Sequence, residues 1–501
     1  MSVVERLGRN LQFSAYSRAI VILSSLVLTP FILNHVDLGL YGLNALILSV
    51  VGYFKILDLG LSTGIARFTA TFFGEGKQEK ISDVLCFGIK FFVSLGCLVA
   101  LILFLLSFFY EHLFPIQGKL VEKGRILLII YAFSALFMWS ILPFRGVLNG
   151  FQRTDIIDKV GLIIAILNIP ITLAVLTYTG SYLLFIGILQ FVTVAVSLTI
   201  IALAFKYTPD FRFSLAPISI SLRKQIIRFS TWSFASGLAG LIIFEVDHLI
   251  IGSFLGLNAV AIYVIALNVH NLIRMLNGLI GNPVYYAVTA EFSKRDKKER
   301  DALIIDATIM HSGILIPILI ITLISTDNFI LSWVGERFSG SILPCKILLS
   351  YWFFNIITEV LAQGVIGGKG KAIEPAKING FVAVTNLGLS LLLVKFMGIT
   401  GVALGTAIPF ILASSFYIYR YCRILSIPVL KFLHQAVIPN LPLFLTSLIL
   451  ALLGQKYMSN SNVFQVVAIM GVTYGITLII GYTFLSNRNK QLAQKIIVLR
   501  A

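Results

Sequence analysis

Three cations stand where a lipid-embedded helix does not ordinarily carry one. Arg18 lies well inside the first long apolar run, Lys55 in the second and Arg274 in the eighth. A charge near the bilayer centre costs roughly 2.5 to 3.5 kcal/mol, so such a residue faces a polar cavity or a partner. Helical spacing puts Ser14, Ser25 and Thr29 on the face of Arg18, and His270 and Asn277 on the face of Arg274. Cations converging on one cavity would hold an anion. Arginine suits phosphate in particular, because its planar fork donates two parallel hydrogen bonds, and a diphosphate fits that chemistry. The structural alternative is that Arg18 and Arg274 bond to backbone carbonyls or to acids on other helices.

The acids inside the apolar runs are fewer. Lys55 and Asp58 are three apart with Ser62 one turn further, so they share a face and either pair with each other or serve the cavity. Glu359, with Gln363 four residues on, would carry a coupling proton or balance a cation. Glu245 is a further charge-balancing candidate, whereas its neighbour Asp247 is expected to be hydrated near the outer surface. Arg145 ends the fourth run, where snorkelling to the interface competes with contact to cargo.

Helices that span a membrane must position these residues. Of 501 residues 58% are hydrophobic and only 12% charged, far from the balance of a water-soluble domain. Only a helix satisfies its own backbone in hydrocarbon, and about 20 apolar residues suffice to cross. About fourteen such runs recur, centred near Ile22, Leu48, Leu98, Phe133, Leu167, Val192, Ala239, Asn268, Leu315, Phe354, Leu387, Ala407, Leu448 and Val472. Lysine and arginine collect in alternate loops, which predicts that both termini lie in the cytoplasm and that the formal charge of +17 is mostly topology rather than a nucleic-acid footprint. Arg6 and Arg9 precede the first run without a small-residue cleavage site, so that run is expected to be retained as a span.

Sliding the chain on itself by roughly 216 to 218 residues superposes several signatures. Phe13–Ser17 meets Phe229–Ser233, and Leu38, Gly39 and Leu40 meet Leu255, Gly256 and Leu257. Gly146 and Val147 meet Gly364 and Val365, and Asn168 meets Asn386. The expected architecture is therefore an all-α polytopic membrane protein with about 14 transmembrane helices, in two parallel, pseudo-symmetric lobes of about six helices each plus a C-terminal helix pair. The lobes are expected at residues 1–206 and 219–423, and the pair at 424–501. A cleft between two such lobes would open alternately to each side, and the final pair would pack on the periphery.

Several function classes drop out. Cys86, Cys97, Cys345 and Cys422 are scattered without metal spacing, so neither a metal nor a disulfide is expected, and no cofactor. The run Gly367, Gly368, Lys369, Gly370, Lys371 lacks phosphate-loop spacing and a following Ser or Thr. No segment is long enough for a soluble nucleotide-binding domain. A membrane glycan polymerase or glycosyltransferase is the competing class, but the outside loops are short for holding an acceptor.

The second span holds Asp58, Leu59, Gly60, Gly64, Ala66 and Arg67. The second lobe holds Asp247, Ile250, Ile251, Gly252, Leu255, Gly256, Tyr263 and Ala266, and near the end stand Asn386, Gly398, Gly401, Ala403 and Thr406. In these residues the chain resembles the polysaccharide repeat-unit (O-antigen-type) flippases of the multidrug/oligosaccharidyl-lipid/polysaccharide exporter superfamily. The resemblance implies two six-helix bundles around a V-shaped cleft, and a cargo of undecaprenyl-diphosphate-linked or similar polyprenyl-linked oligosaccharide turned over in the cytoplasmic membrane without bond making. It is similar to the lipid II flippases in having basic residues in helices one, two and eight, which here are Arg18, Lys55 and Arg274. Membrane lipids surround the chain, and polysaccharide polymerases and glycosyltransferases are its implied partners. Drug-exporting relatives, which use lobe acids to couple protons or sodium, are the alternative that Asp58 and Glu359 keep open.

Overall fold

The computed structural model describes residues 20–484 except 22, 115, 152, 209–217, 293–295, 370, 372 and 460; the side chains of 228–229, 231–244, 282–287, 289–291, 367 and 481–484 are also left out. Every regular element among the described residues is helical. The helices are α1 (Leu23–His35), α2 (Leu38–Tyr53), α3 (Leu61–Gly74), α4 (Gln78–Phe109), α5 (Lys119–Ser140), α6 (Leu142–Gly150), α7 (Thr154–Thr179), α8 (Tyr182–Tyr207) and α9 (Ile220–Leu255). They continue as α10 (Leu257–Phe292), α11 (Lys297–Val334), α12 (Ile342–Ser350), α13 (Trp352–Gln363), α14 (Ile373–Leu425), α15 (Val429–Phe432), α16 (Leu441–Met458) and α17 (Val463–Phe484). Eleven stretches among the described residues are long and apolar enough to cross a membrane. The protein is a multi-pass membrane protein. Its expected first centre, Ile22, lies outside the described residues.

Local chemistry sets where these helices begin and break. Asp37 and Ser219 accept backbone N–H groups at the starts of α2 and α9, and Asp296 with Glu299 forms a capping box at the start of α11. The 53-residue α14 is two helices merged across Gly398, whose φ of 57° and ψ of −138° are not helical. The centres expected near Leu387 and Ala407 fall on either side of that break. Left-handed glycines recur at the repeat offset of roughly 217 residues, Gly118 with Gly335 before α5 and after α11, and Gly180 with Gly398 at the α7–α8 and α14 reversals. The sequence matches Leu38–Leu40 and Leu255–Leu257 likewise fall where α2 and α10 begin.

The chain divides into two compact units, Met1–Ala261 and Ile262–Ala501. Apolar side chains do not drive helices together within lipid, so close approach at small residues must supply much of the packing. In the first unit α3 packs on α6 and α4 on α5, around Leu43, Ile65, Val84, Phe92, Leu127 and Val147, all fully buried. A buried polar triad threads this core: Tyr131 donates to Asn44 Oδ1 at 2.8 Å, and Asn44 Nδ2 donates to Tyr182 Oη at 3.0 Å. Helix α9 packs on α2 and α3.

In the second unit α11 packs on α12, α13, α16 and α17. Polar bonds fasten the C-terminal pair along it. Asn440 Nδ2 donates to Ile309 O at 2.7 Å and Ser312 Oγ at 3.0 Å, Gln455 Nε2 to Ile324 O at 2.6 Å, and Tyr474 Oη to Ile314 O at 3.3 Å. In α14 the two halves form a tight hairpin: Asn386 Nδ2 donates to Thr406 Oγ1 at 2.9 Å, and Gly401 and Gly405 face Leu393 and Ser390. The small residues that carry the family likeness near the chain's end thus include the seam of a helix pair.

Candidate functional site

In the first unit the second span is not one helix. After Tyr53 the chain tightens into a 3₁₀ turn, Phe54–Asp58, and then passes through two left-handed residues, Leu59 (φ 51°) and Gly60 (φ 71°), before α3 begins. A non-glycine residue in that region is strained, because its Cβ crowds the backbone. Asp58 holds the break: its carboxylate accepts Ser62 N at 3.0 Å and Ser62 Oγ at 2.7 Å. The shared face expected of Lys55 and Asp58 does not become an ion pair. Asp58 is turned to the cap, and Lys55 is exposed without an ion pair among the described residues.

Glu245 of α9 lies against α2 where Gly52 leaves room, since a Cβ added there would sit 3.0 Å from the carboxylate carbon. Asp247, expected to be hydrated, is only 2% exposed. It shares a helix face with the buried Ile250 and Ile251, so α9 draws it into the protein instead of offering it to water. Arg145 on α6 is exposed, and Arg18 lies outside the described residues.

In the second unit α10 does place His270, Arg274 and Asn277 on one face, but their surroundings differ. His270 is 1% exposed and shares a 2.6 Å hydrogen bond with Tyr351 Oη. Its ring packs beside Tyr351 and Trp352, and Tyr351 stacks on Phe410 at 4.5 Å. It is a core histidine that fixes α10 against the α12–α13 junction. Arg274, one turn on, is exposed midway along the 36-residue helix.

Glu359 belongs to a cluster that sequence reading only half found. Gln363 Nε2 donates to Glu359 Oε1 at 3.2 Å and to Gly281 O at 3.1 Å. His311 of α11, fully buried, donates Nδ1–H to Ile356 O at 3.2 Å. Its Nε2 and the Gln363 amide nitrogen both lie 3.5 Å from the Cβ position of Gly281. His311 Nε2, Gln363 Oε1 and Asn277 Oδ1 make no hydrogen bond among the described residues. Buried polar atoms of that kind usually serve water, a proton or an ion. The missed signal was the polar stripe Thr308, His311, Ser312 inside an apolar helix.

The profile of the polysaccharide biosynthesis protein family matches residues 7–293, more than half of the chain. The chain belongs to that family. The putative O-antigen transporter of Shigella flexneri is 22% identical over 390 residues, covering 77% of this chain and 91% of that one. Among solved structures, the lipid II flippase MurJ in an inward closed conformation superposes with a TM-score of 0.70 at 17% identity, covering 94% of this chain and 98% of that one. An inward-facing multidrug resistance MATE family transporter of the MOP superfamily gives 0.66 at 16% identity, covering 85% and 98%. At such identities the structural likeness is one of fold. The small-residue motifs that carry the resemblance in the sequence thus lead to the same family.

Proposed function

We propose that this member of the polysaccharide biosynthesis protein family flips polyprenyl-diphosphate-linked oligosaccharide repeat units across the cytoplasmic membrane by alternating access, for surface polysaccharide assembly. The observation that carries the reading is Arg274, exposed midway along a membrane-length helix, where facing acyl chains would cost roughly 2.5 to 3.5 kcal/mol. Such a residue lines a polar path. A guanidinium there grips phosphate oxygens bidentately, and Lys55 at the break of the second span, Arg18 and Arg145 are further candidates for contact with cargo. His270, one turn from Arg274, is held in the core by Tyr351. The polyprenyl tail stays in lipid, so the protein handles only the charged and sugar portions and breaks no bond.

The lysine and arginine distribution supports cytoplasmic termini, and polymerases and glycosyltransferases are the natural partners on either side of the step. Glu359, with Gln363 and His311, is the coupling candidate, and Glu245 balances charge beside α2. Asp58 is assigned to capping. The same Glu359 cluster favours a second reading, an ion-coupled drug exporter, although exposed cations repel cationic drugs.

The deciding experiment uses a strain in which this gene is the sole copy. Arg274→Gln should abolish most surface glycan while lipid-linked repeats accumulate inside. Normal glycan with lost drug resistance would overturn the flippase reading in favour of the exporter.

A further inference from the structure

One end of the second unit holds a cavity of about 150 Å³ built from loops the proposed function does not use. Phe292 at the end of α10, Lys297, Arg300 and Asp301 in the first two turns of α11, and Lys369 beyond α13 line it, with Leu425 and Ile427 as apolar wall. A water needs roughly 10–15 Å³ by the same measure, so the space admits a phosphoryl group with part of its hydration.

The charges there do not cancel. Asp301 is engaged by Lys431 at 3.2 Å, an ammonium that stands outside the lining. Lys297, Arg300 and Lys369 form no ion pair among the described residues. Arg300 lies 5.3 Å over the Phe292 ring and Lys369 5.9 Å from the same ring, so one aromatic floor gathers two cations. The start of α11 is not what would bind here, because Asp296 already accepts Glu299 N at 2.8 Å. Like charges held together around a cavity are stabilised by an anion between them. The apolar wall continues into helices that enter the membrane, which favours an anion tethered to a lipid over one free in solution.

We propose that this cavity binds the phosphoryl group of an anionic membrane lipid. Near a membrane surface each basic residue strengthens such binding about fivefold.

The test is lipid retention by the purified full-length protein, measured by native mass spectrometry with phosphatidylglycerol, polyprenyl phosphate, phosphatidylcholine or inorganic phosphate supplied separately. The wild type should retain one or both anionic lipids over phosphatidylcholine, and which of the two wins identifies the source of the phosphate. Lys297→Gln/Arg300→Gln/Lys369→Gln should reduce retention well over tenfold, and raised salt should do the same. Asp301→Asn, which releases Lys431 and adds net positive charge, should increase retention, the opposite of what general loosening would do. If the triple variant does not fold, Lys369→Gln alone, at an exposed position, should show about a fivefold fall. Unchanged retention in the folded variants, equal retention of phosphatidylcholine, or saturation by inorganic phosphate without any preference for the lipids would each overturn the proposal.

Discussion

The seam of the α14 hairpin permits a prediction in which two effects compete. A methyl added at Gly401 would lie 2.3 Å from Leu393 O and 2.6 Å from Leu393 C, and one at Gly405 would lie 2.6 Å from Ser390 N. Carbon contacts are optimal near 3.5–4.0 Å, so the two halves must part by about 1 Å, and a gap of about that size forfeits up to half of each dispersion contact along the seam. Over-packing of this kind costs about 1–3 kcal/mol. Contacts this far under 3 Å put both positions in the upper part of that range, about 2–3 kcal/mol, and alanine returns about 0.8–1 kcal/mol of helix propensity over glycine, which leaves a net loss of about 1–2 kcal/mol for Gly401→Ala or Gly405→Ala. The polar bond across the same seam matters less. Asn386→Leu removes the donor to Thr406, but Thr406 keeps its own bond to Val402 O at 3.3 Å, and interhelical hydrogen bonds within membranes average about 0.6 kcal/mol. Reversible unfolding in mixed micelles with rising dodecyl sulfate would rank the three variants. Glycine variants within about 0.5 kcal/mol of wild type, or an Asn386→Leu loss as large as theirs, would refute the reasoning.

Three further outcomes follow from single contacts. Asp58→Ala should cost about 0.5–2 kcal/mol through the lost cap on α3, with Asp58→Asn nearly neutral, measured by the same unfolding titration; equal losses in the two would point to a charge role instead. A double-mutant cycle of His270→Phe and Tyr351→Phe should give a coupling of about 0.5–1.5 kcal/mol, and additive losses would show that the 2.6 Å bond contributes nothing. Asn440→Ala should leave Ile309 O without its side-chain donor and speed hydrogen exchange in α16 but not in α4, whereas uniform exchange would mean that Asn440 does not fasten the pair to α11.

Apolar runs of membrane length are a one-dimensional signal, because hydrocarbon forces each to be a helix wherever the rest of the chain lies. The helical class and most spans were therefore legible in the residues, and Arg274 and Glu359 could be singled out as candidates, since a charge in such a run stands out without any partner being known. The partners were not legible. Whether Asp58 pairs with Lys55 or caps Ser62 depends on a helix break that spacing at 3.6 residues per turn assumes away. Whether Asp247 is wet or buried, and whether His270 meets cargo or Tyr351, depends on which helix packs against that face. His311 reaches Glu359's neighbourhood only because α11 and α13 approach where Gly281 has no side chain, and the basic cavity exists only because three loops distant in sequence end at one place. Lipid dictates the fate of each segment separately, whereas a contact needs two segments, and only tertiary packing chooses the second.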